Sequence, residues 1–233
     1  MPPPPSPKER YPSGASQEYI TARNALLEAE LALRNQVEAV AAQRRALPPG
    51  ALLKDYTLID SSGTPVKLAE LAADGRTLVV YHMMFGPDST DPCVLCASFI
   101  DGFNGVGQHL ARKFNFVVVA KSPIDKLSDY AARRGWKDIR FLSSHQSDFN
   151  GDMGFEDPAG SANAVQMEGI SVYKMDSAAG NLRHVYSASA RFDTHTFRGM
   201  DLLSPLWNLL DLVPEGRGDT WYPGNSYMDM NRK

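Results

Sequence analysis

Thr77-Leu-Val-Val-Tyr-His-Met-Met-Phe85, then Gly86-Pro-Asp-Ser-Thr-Asp-Pro92, then Cys93-Val-Leu-Cys96, is the stretch whose reading decides the fold. The first piece is apolar and β-favouring throughout, the pattern of a strand buried on both faces. The Gly/Pro/Asp run cannot extend that strand and predicts a tight connection. From Cys93 onward, Leu95, Phe99, Ile100, Phe103 and Val106 recur at helical intervals, predicting a helix to about Phe114. Both cysteines therefore fall at or just inside the first turn of a helix that follows a central strand. Three residues apart, they lie one turn from each other.

Cysteine use is the sharpest compositional fact. The 233-residue chain has only 2 cysteines, and they are Cys93 and Cys96. Scattered at random, two cysteines would take this spacing about one time in a hundred, so chance is disfavoured. No second pair exists to complete a four-cysteine zinc site. A disulfide closing so small a loop would restrict the unfolded chain little. What remains is redox chemistry or a pair of inert core thiols.

The bulk numbers narrow the class. A hydrophobic fraction of 43% and a charged fraction of 22% are ordinary for a globular protein. A net charge of −3 from 24 basic and 27 acidic residues gives no sign of a nucleic-acid surface or a polybasic membrane patch. No apolar run approaches the roughly 18 residues of a membrane span, and the proline-rich start lacks a signal-peptide core. A cytoplasmic location is expected, with neither nucleic acid nor membrane as partner.

Outward from the dithiol, four regions follow. Residues 1–15 form a proline-rich tail expected to be disordered. Residues 16–49 carry an amphipathic helix capped by Ser16 and stopped by Pro48-Pro49-Gly50, with Glu30 and Arg34 as a supporting pair. Its Tyr19, Leu26, Leu33, Val40 and Leu47 fall seven apart. That seam suits docking on the helix's own domain or, as the alternative, a homodimer. Residues 50–213 hold the main domain, and 214–233 a turn-rich tail. Within the domain, Tyr56–Asp60, Asn115–Ala120 and Ile139–Ser143 predict strands, and Pro123–Gly135 a helix. Ser144 to about Glu168 reads as a long loop, Ile170–Lys174 with Leu182–Tyr186 as a hairpin, and Gly199–Leu212 as the last helix. This order implies an α/β three-layer sandwich, a mixed central sheet with helices on both faces. A Cys-x-x-Cys after the first long strand of such a unit is the thioredoxin plan.

A more specific likeness rests on Asp91-Pro-Cys-Val-Leu-Cys-Ala-Ser-Phe-Ile-Asp-Gly-Phe-Asn-Gly105, with Ser122-Pro123, Gly135-Trp136, Ser143-Ser144, Asp148-Phe149-Asn150, Arg198-Gly199 and Leu210-Asp-Leu212…Gly216-Arg217. Over about residues 17–219 the chain resembles the thioredoxin-like proteins grouped as domain-of-unknown-function family 899. The resemblance implies a thioredoxin-like fold, a preceding helix and a cysteine pair at the redox position. It implies no settled activity. Two departures from the thioredoxin plan stand out. Met167-Glu168-Gly169 precede Ile170 where a proline is expected, which counts against exchange with peptide disulfides. Phe192-Asp-Thr-His-Thr-Phe197 is long.

At a helix N-terminus Cys93 is the candidate nucleophile, its thiolate favoured by free N–H groups and the helix dipole. Cys96 would resolve a mixed disulfide or sulfenic acid. His145 in the long loop, Asp148 beside it and His195 in the 192–197 segment are the further catalytic candidates. His82 alternates with Tyr81 and Met83 and reads as a core histidine satisfied by backbone, while His109 and His184 read as ordinary positions. Asp101 is a proton handler or a cap. No cofactor is expected; a zinc site from Cys93, Cys96 and one histidine is conceivable, but no His-x3-His pair or acidic cluster supports it. The leading expectation is a thiol-disulfide oxidoreductase or thiol peroxidase acting on a small-molecule or protein disulfide substrate. The alternatives are a cofactor-free enzyme of a biosynthetic pathway using His145, His195 or Asp148, and a non-catalytic binding module.

Overall fold

The computed structural model describes residues 11–157, 165–193, 195–219 and 221–226. The start of the proline-rich tail, part of the long loop, Thr194 in the 192–197 segment and the end of the C-terminal tail lie outside them. The chain divides into two units, Met1–Pro48 and Pro49–Lys233.

Among its described residues the first unit carries one helix, α1 (Gln17–Arg45). Ser16 caps it by accepting the Tyr19 N–H at 3.1 Å, with Glu18 in the first turn and Arg44 and Arg45 in the last, as the dipole favours. Glu30 pairs backward with Arg23 at 3.0 Å, not forward with Arg34, whose guanidinium donates to Asn35 at 3.1 Å. No residue of α1 is buried.

The second unit is built on one seven-stranded sheet in the order β2-β1-β5-β4-β3-β6-β7. Its strands are β1 (Thr57–Asp60), β2 (Pro65–Lys67), β3 (Leu78–Met83), β4 (Asn115–Ala120), β5 (Arg140–Ser143), β6 (Gly169–Asp176) and β7 (Asn181–Ala188). β3, β4 and β5 run parallel, and β6 lies antiparallel to β3 and to β7. This is a thioredoxin-like three-layer fold, with β3 an interior strand between β4 and β6. Every residue of β3 is buried, so the unbroken apolar run of the sequence corresponds to a strand covered on both sides.

Alternation along β3 divides the core. Tyr81 and Met83 face α2 (Val94–Gly105) and α4 (Ile124–Arg134), in a cluster with Cys96, Phe99, Ile100, Phe103, Leu127 and Trp136. Leu78 and Val80 face the other way, onto Tyr56, Leu58, Leu68, Phe149 and Tyr173. That second face is covered by the 3-10 turn Leu68–Ala72 and the short α5 (Phe149–Asp152).

Two helices are shorter than the sequence pattern predicts. The dithiol helix ends at Gly105, and a separate turn, α3 (Gly107–Leu110), follows. A Cβ on Gly107 would lie 2.4 Å from the Asp138 carbonyl oxygen, so packing against that backbone interrupts the helix. The last helix is a 3-10 turn, Asp201–Leu203, then α6 (Pro205–Leu210). Ser204 is extended, as the residue before a proline prefers, and this splits the segment. By contrast α4 ends where expected, at Gly135 in the left-handed conformation with φ 74°.

The long loop is pinned by side chains. Asn150 accepts from the Ser144 hydroxyl at 2.9 Å and donates to the Gln166 carbonyl at 3.0 Å, all three buried. The polar residues Ser144 and Asn150 thereby serve as loop fasteners.

Candidate functional site

The loop after β3 is short and closed on itself. The Cys93 N–H donates to the Met84 carbonyl at 3.0 Å, so the chain leaves the sheet and returns to it at the first cysteine. Cys93 is the N-cap of α2, in extended conformation with φ −56° and ψ 127°. Its sulfur faces the free N–H groups of Leu95 and Cys96 without a full-geometry capping bond. Both thiols are free; Cys93 is half-buried and Cys96 fully buried. The Met84 N–H approaches the Cys96 sulfur at 3.5 Å.

These surroundings split the two thiols. The Cys96 thiol, acting as a hydrogen-bond donor, is the largest influence on Cys93; burial opposes it, the Cys96 and Leu95 amides assist it, and the Glu168 carboxylate resists. The net result draws Cys93 down to about 6. Cys96 is driven well above the ordinary thiol value, first by giving its proton toward Cys93 and then by burial. At neutral pH one thiolate therefore resides at the mouth of the helix, with a protonated thiol one turn deeper. Tyr81, completely buried, sets its hydroxyl against the Cys96 sulfur with no conventional hydrogen-bond partner among the described residues.

Cys93 opens onto a cavity of about 500 Å³. Tyr81, Leu95 and Phe99 form its inner wall, and Glu168 reaches in from the start of β6. The outer wall comes from the C-terminal segments. Trp207 of α6 meets Trp221 edge-on, ring centroids 6.5 Å apart, and Tyr222 adjoins them. Asn225 fastens this wall, accepting from the Tyr130 hydroxyl at 2.8 Å and donating to the Pro92 carbonyl at 3.1 Å. The described part of the tail, through Asn225, thus folds over the dithiol, a role its sequence signalled only by the adjacent aromatics Trp221 and Tyr222.

An ion-pair network frames the far side. Arg198 bonds Asp201 at 2.7 Å and Asp211 at 2.9 Å, while Arg217 bonds the same two carboxylates at 2.7 and 2.6 Å. Arg217 also lies over the Trp207 ring, 5.1 Å from its centroid. Arg198 holds φ 78°, a conformation costing about 1–2 kcal/mol for a residue with a Cβ, and the two carboxylates hold it there. The Arg198-Gly199 and Gly216-Arg217 pairs are the fittings of this wall.

The other sequence candidates lie elsewhere. His145 turns its ring to the Lys121 carbonyl, Nδ1 at 3.2 Å, and is exposed. Asp148 stands at the N-cap position of α5 without a side-chain capping bond and faces Lys54 at 3.9 Å. His195 is exposed in a turn made by the Asp193 carboxylate, which accepts its N–H at 2.7 Å. None of the three lines the Cys93 cavity. Asp101 is taken up by Arg134 and by the Trp136 indole N–H, the latter at 2.7 Å. His82 is a core residue held by a side chain rather than by backbone: Nε2 shares a hydrogen bond with the Ser171 hydroxyl at 3.0 Å, Nδ1 is buried with no hydrogen-bond partner among the described residues, and burial lowers the ring to about 3. Beside the aromatic wall of Trp207, Trp221 and Tyr222, two residues of the inner site escaped the sequence reading. Glu168 stood out only as a missing proline, and Tyr81 only as a strand residue.

The family model described as "Bacterial protein of unknown function (DUF899)" matches residues 8–232. The chain belongs to this family. No curated protein matches it in sequence. Among solved structures, the peroxidoxin BcpB from Mycobacterium tuberculosis is similar at 18% identity, covering 63% of this chain and 88% of that one, with a TM-score of 0.49. Reduced Prx3 in complex with H2O2 from Vibrio vulnificus aligns at 15% identity over 67% of this chain and 97% of its own, with a TM-score of 0.47. Peroxiredoxin Q from Xanthomonas campestris aligns at 15% identity over 57% and 78%, with a TM-score of 0.43. Among the described residues no helix is long and apolar enough to cross a membrane, and no group of three or more His, Cys, Asp or Glu could hold a metal ion.

Proposed function

We propose that the protein is a thiol-dependent oxidoreductase for small oxidised molecules. The observation that carries this reading is the Cys93 thiol, held near 6 at a helix N-cap and open to a cavity. The Cys93 thiolate attacks the electrophilic atom of the substrate, the sulfur of a low-mass disulfide or the outer oxygen of a hydroperoxide. A mixed disulfide or a sulfenic acid forms on Cys93, and the first half of the substrate leaves reduced. Cys96 then attacks the Cys93 sulfur, the Cys93–Cys96 disulfide closes and the remaining fragment departs. A dithiol reductant returns the pair to its starting state.

The walls favour small substrates. At about 500 Å³ the cavity is of metabolite size, and its aromatic roof stands where a folded protein partner would have to approach. The strand facing the dithiol begins with Glu168-Gly169 and not a proline, so the backbone platform for a peptide disulfide is altered.

The test adds one equivalent of oxidant to the reduced protein and follows free thiols and mass. A small hydroperoxide or a low-mass disulfide should consume both thiols and map a Cys93–Cys96 bond, while insulin is reduced slowly or not at all. Cys93→Ser should abolish the reaction, and Cys96→Ser should trap the adduct on Cys93. Both thiols surviving every oxidant would overturn the reading.

A further inference from the structure

Glu168 has no established task in the fold. It is half-buried and lines the Cys93 cavity together with Tyr81, yet no cation or hydrogen-bond donor among the described residues holds its carboxylate. Its place is nonetheless rigidly set. Met167 donates its N–H to the Phe155 carbonyl at 2.9 Å, and Gly169 opens β6 opposite His82. A Cβ on Gly169 would come within 2.0 Å of the Phe155 ring, which itself stacks on His82 at 3.9 Å. A buried ring on one side of the sheet therefore wedges the backbone so that the next side chain points over the dithiol on the other.

A carboxylate beside a nucleophilic thiol is costly, because like charges oppose the thiolate. It contributes something only if the reaction needs a proton moved. A departing thiolate is a stable anion and needs none, whereas the alkoxide or hydroxide left by a hydroperoxide is a strong base that must be protonated as the O–O bond breaks. We propose that the substrate class is a hydroperoxide and that Glu168 is a catalytic residue carrying the peroxide proton between its two oxygens. This rests on the dithiol reading above. The ionised carboxylate accepts the proton of the outer oxygen as the Cys93 thiolate attacks that oxygen. The S–O bond forms, the O–O bond breaks, and Glu168 passes the proton to the departing oxygen, which leaves as an alcohol or water. Cys93 is left as a sulfenate, the peroxide has gained two electrons, and the carboxylate is again ionised. Cys96 attacks the sulfenate sulfur, its thiol proton leaves with the oxygen as hydroxide, and the disulfide forms.

The test compares two rates in the wild type and in Glu168→Gln. Alkylation by iodoacetamide needs only the thiolate, so removing the neighbouring charge should speed it several-fold at pH 5.5. Oxidation by cumene hydroperoxide needs the proton carrier, so it should slow by at least about tenfold, and Glu168→Asp should recover part of it. Opposite movement of the two rates is the signature, since a structural role moves both together. If Glu168→Gln reacts with hydroperoxide as fast as the wild type or faster, the inference fails and the dithiol reading stands. The same holds if the wild type is oxidised by a low-mass disulfide but never by hydroperoxide. If no oxidant closes the disulfide, both fail.

Discussion

The two faces of β3 carry one depressed titration each, and the two have opposite consequences. On the sulfur face, Cys93 is drawn to about 6 chiefly by a hydrogen bond to its charged form. On the other face, His82 is lowered to about 3 by burial alone, stacked between Phe149 and Phe155 with centroids at 5.5 and 3.9 Å. For an acid, a lowered value puts charge on the atom at neutral pH. For a base, it takes charge away. Neighbouring residues of one strand thus support a reactive anion on one side and a silent neutral ring on the other. Hydrogen bonding builds the first, and desolvation builds the second.

The largest expected effect is selectivity between the sulfurs. In the native state Cys93 should alkylate at least about a hundredfold faster than Cys96, with a rate that rises through about pH 6 and levels above it. Cys96→Ala removes the donor that stabilises the thiolate. Its midpoint should move upward, lowering the rate at pH 6 while the plateau at high pH stays level or rises modestly. Equal labelling of the two cysteines by mass spectrometry would erase the contrast between the mouth and the floor of the site.

Next comes the residue that couples the faces. Gly169→Ala drives a Cβ into the Phe155 ring and to 2.7 Å from the Ala188 carbonyl oxygen. A loss of about 3 kcal/mol in urea unfolding is expected, at the upper end of ordinary overpacking. Displacement of Glu168 should accompany it, read as faster Cys93 alkylation at acidic pH. A neutral substitution would mean that the Phe155 wedge does not set the site.

The smallest effect tests the histidine. His82 is held below its unfolded value near 6.5, so the unfolded chain binds a proton that the native state refuses. Its neutral burial is without penalty above about pH 6.5, and stability is lost as pH falls from there toward 3. Between pH 7 and 5 the loss should be about 2 kcal/mol, and His82→Phe should flatten it. His184, also lowered by burial, adds a smaller contribution of the same sign. An unfolding free energy that does not move over this window would show His82 to be solvated.

Much of this was legible beforehand because it depends on local pattern. The apolar run 77–85 implied a buried central strand, the turn residues 86–92 ended it, and the cysteine spacing placed the dithiol at a helix start. Ser16 and Gly135 marked helix ends through capping chemistry that acts within a turn. The histidines and Asp148 misled as neighbours of the thiol because residue type shows chemical capacity and not location. His145, Asp148 and His195 are all exposed and away from the sulfur: the first meets the Lys121 carbonyl, the second Lys54, and the third its own Asp193 turn.

Sequence by itself determined the strand order of the βαβ unit, the family and the cysteine that begins the helix, because period, turn residues and capping are short-range. Only the tertiary structure decided which side chains surround that sulfur. Tyr81, Glu168, Trp207, Trp221 and Asn225 come from four separate segments, brought together by strand pairing and by hydrogen bonds between residues as far apart as Pro92 and Asn225. No local pattern encodes such meetings, since each depends on the assembled sheet bringing distant backbone into one place.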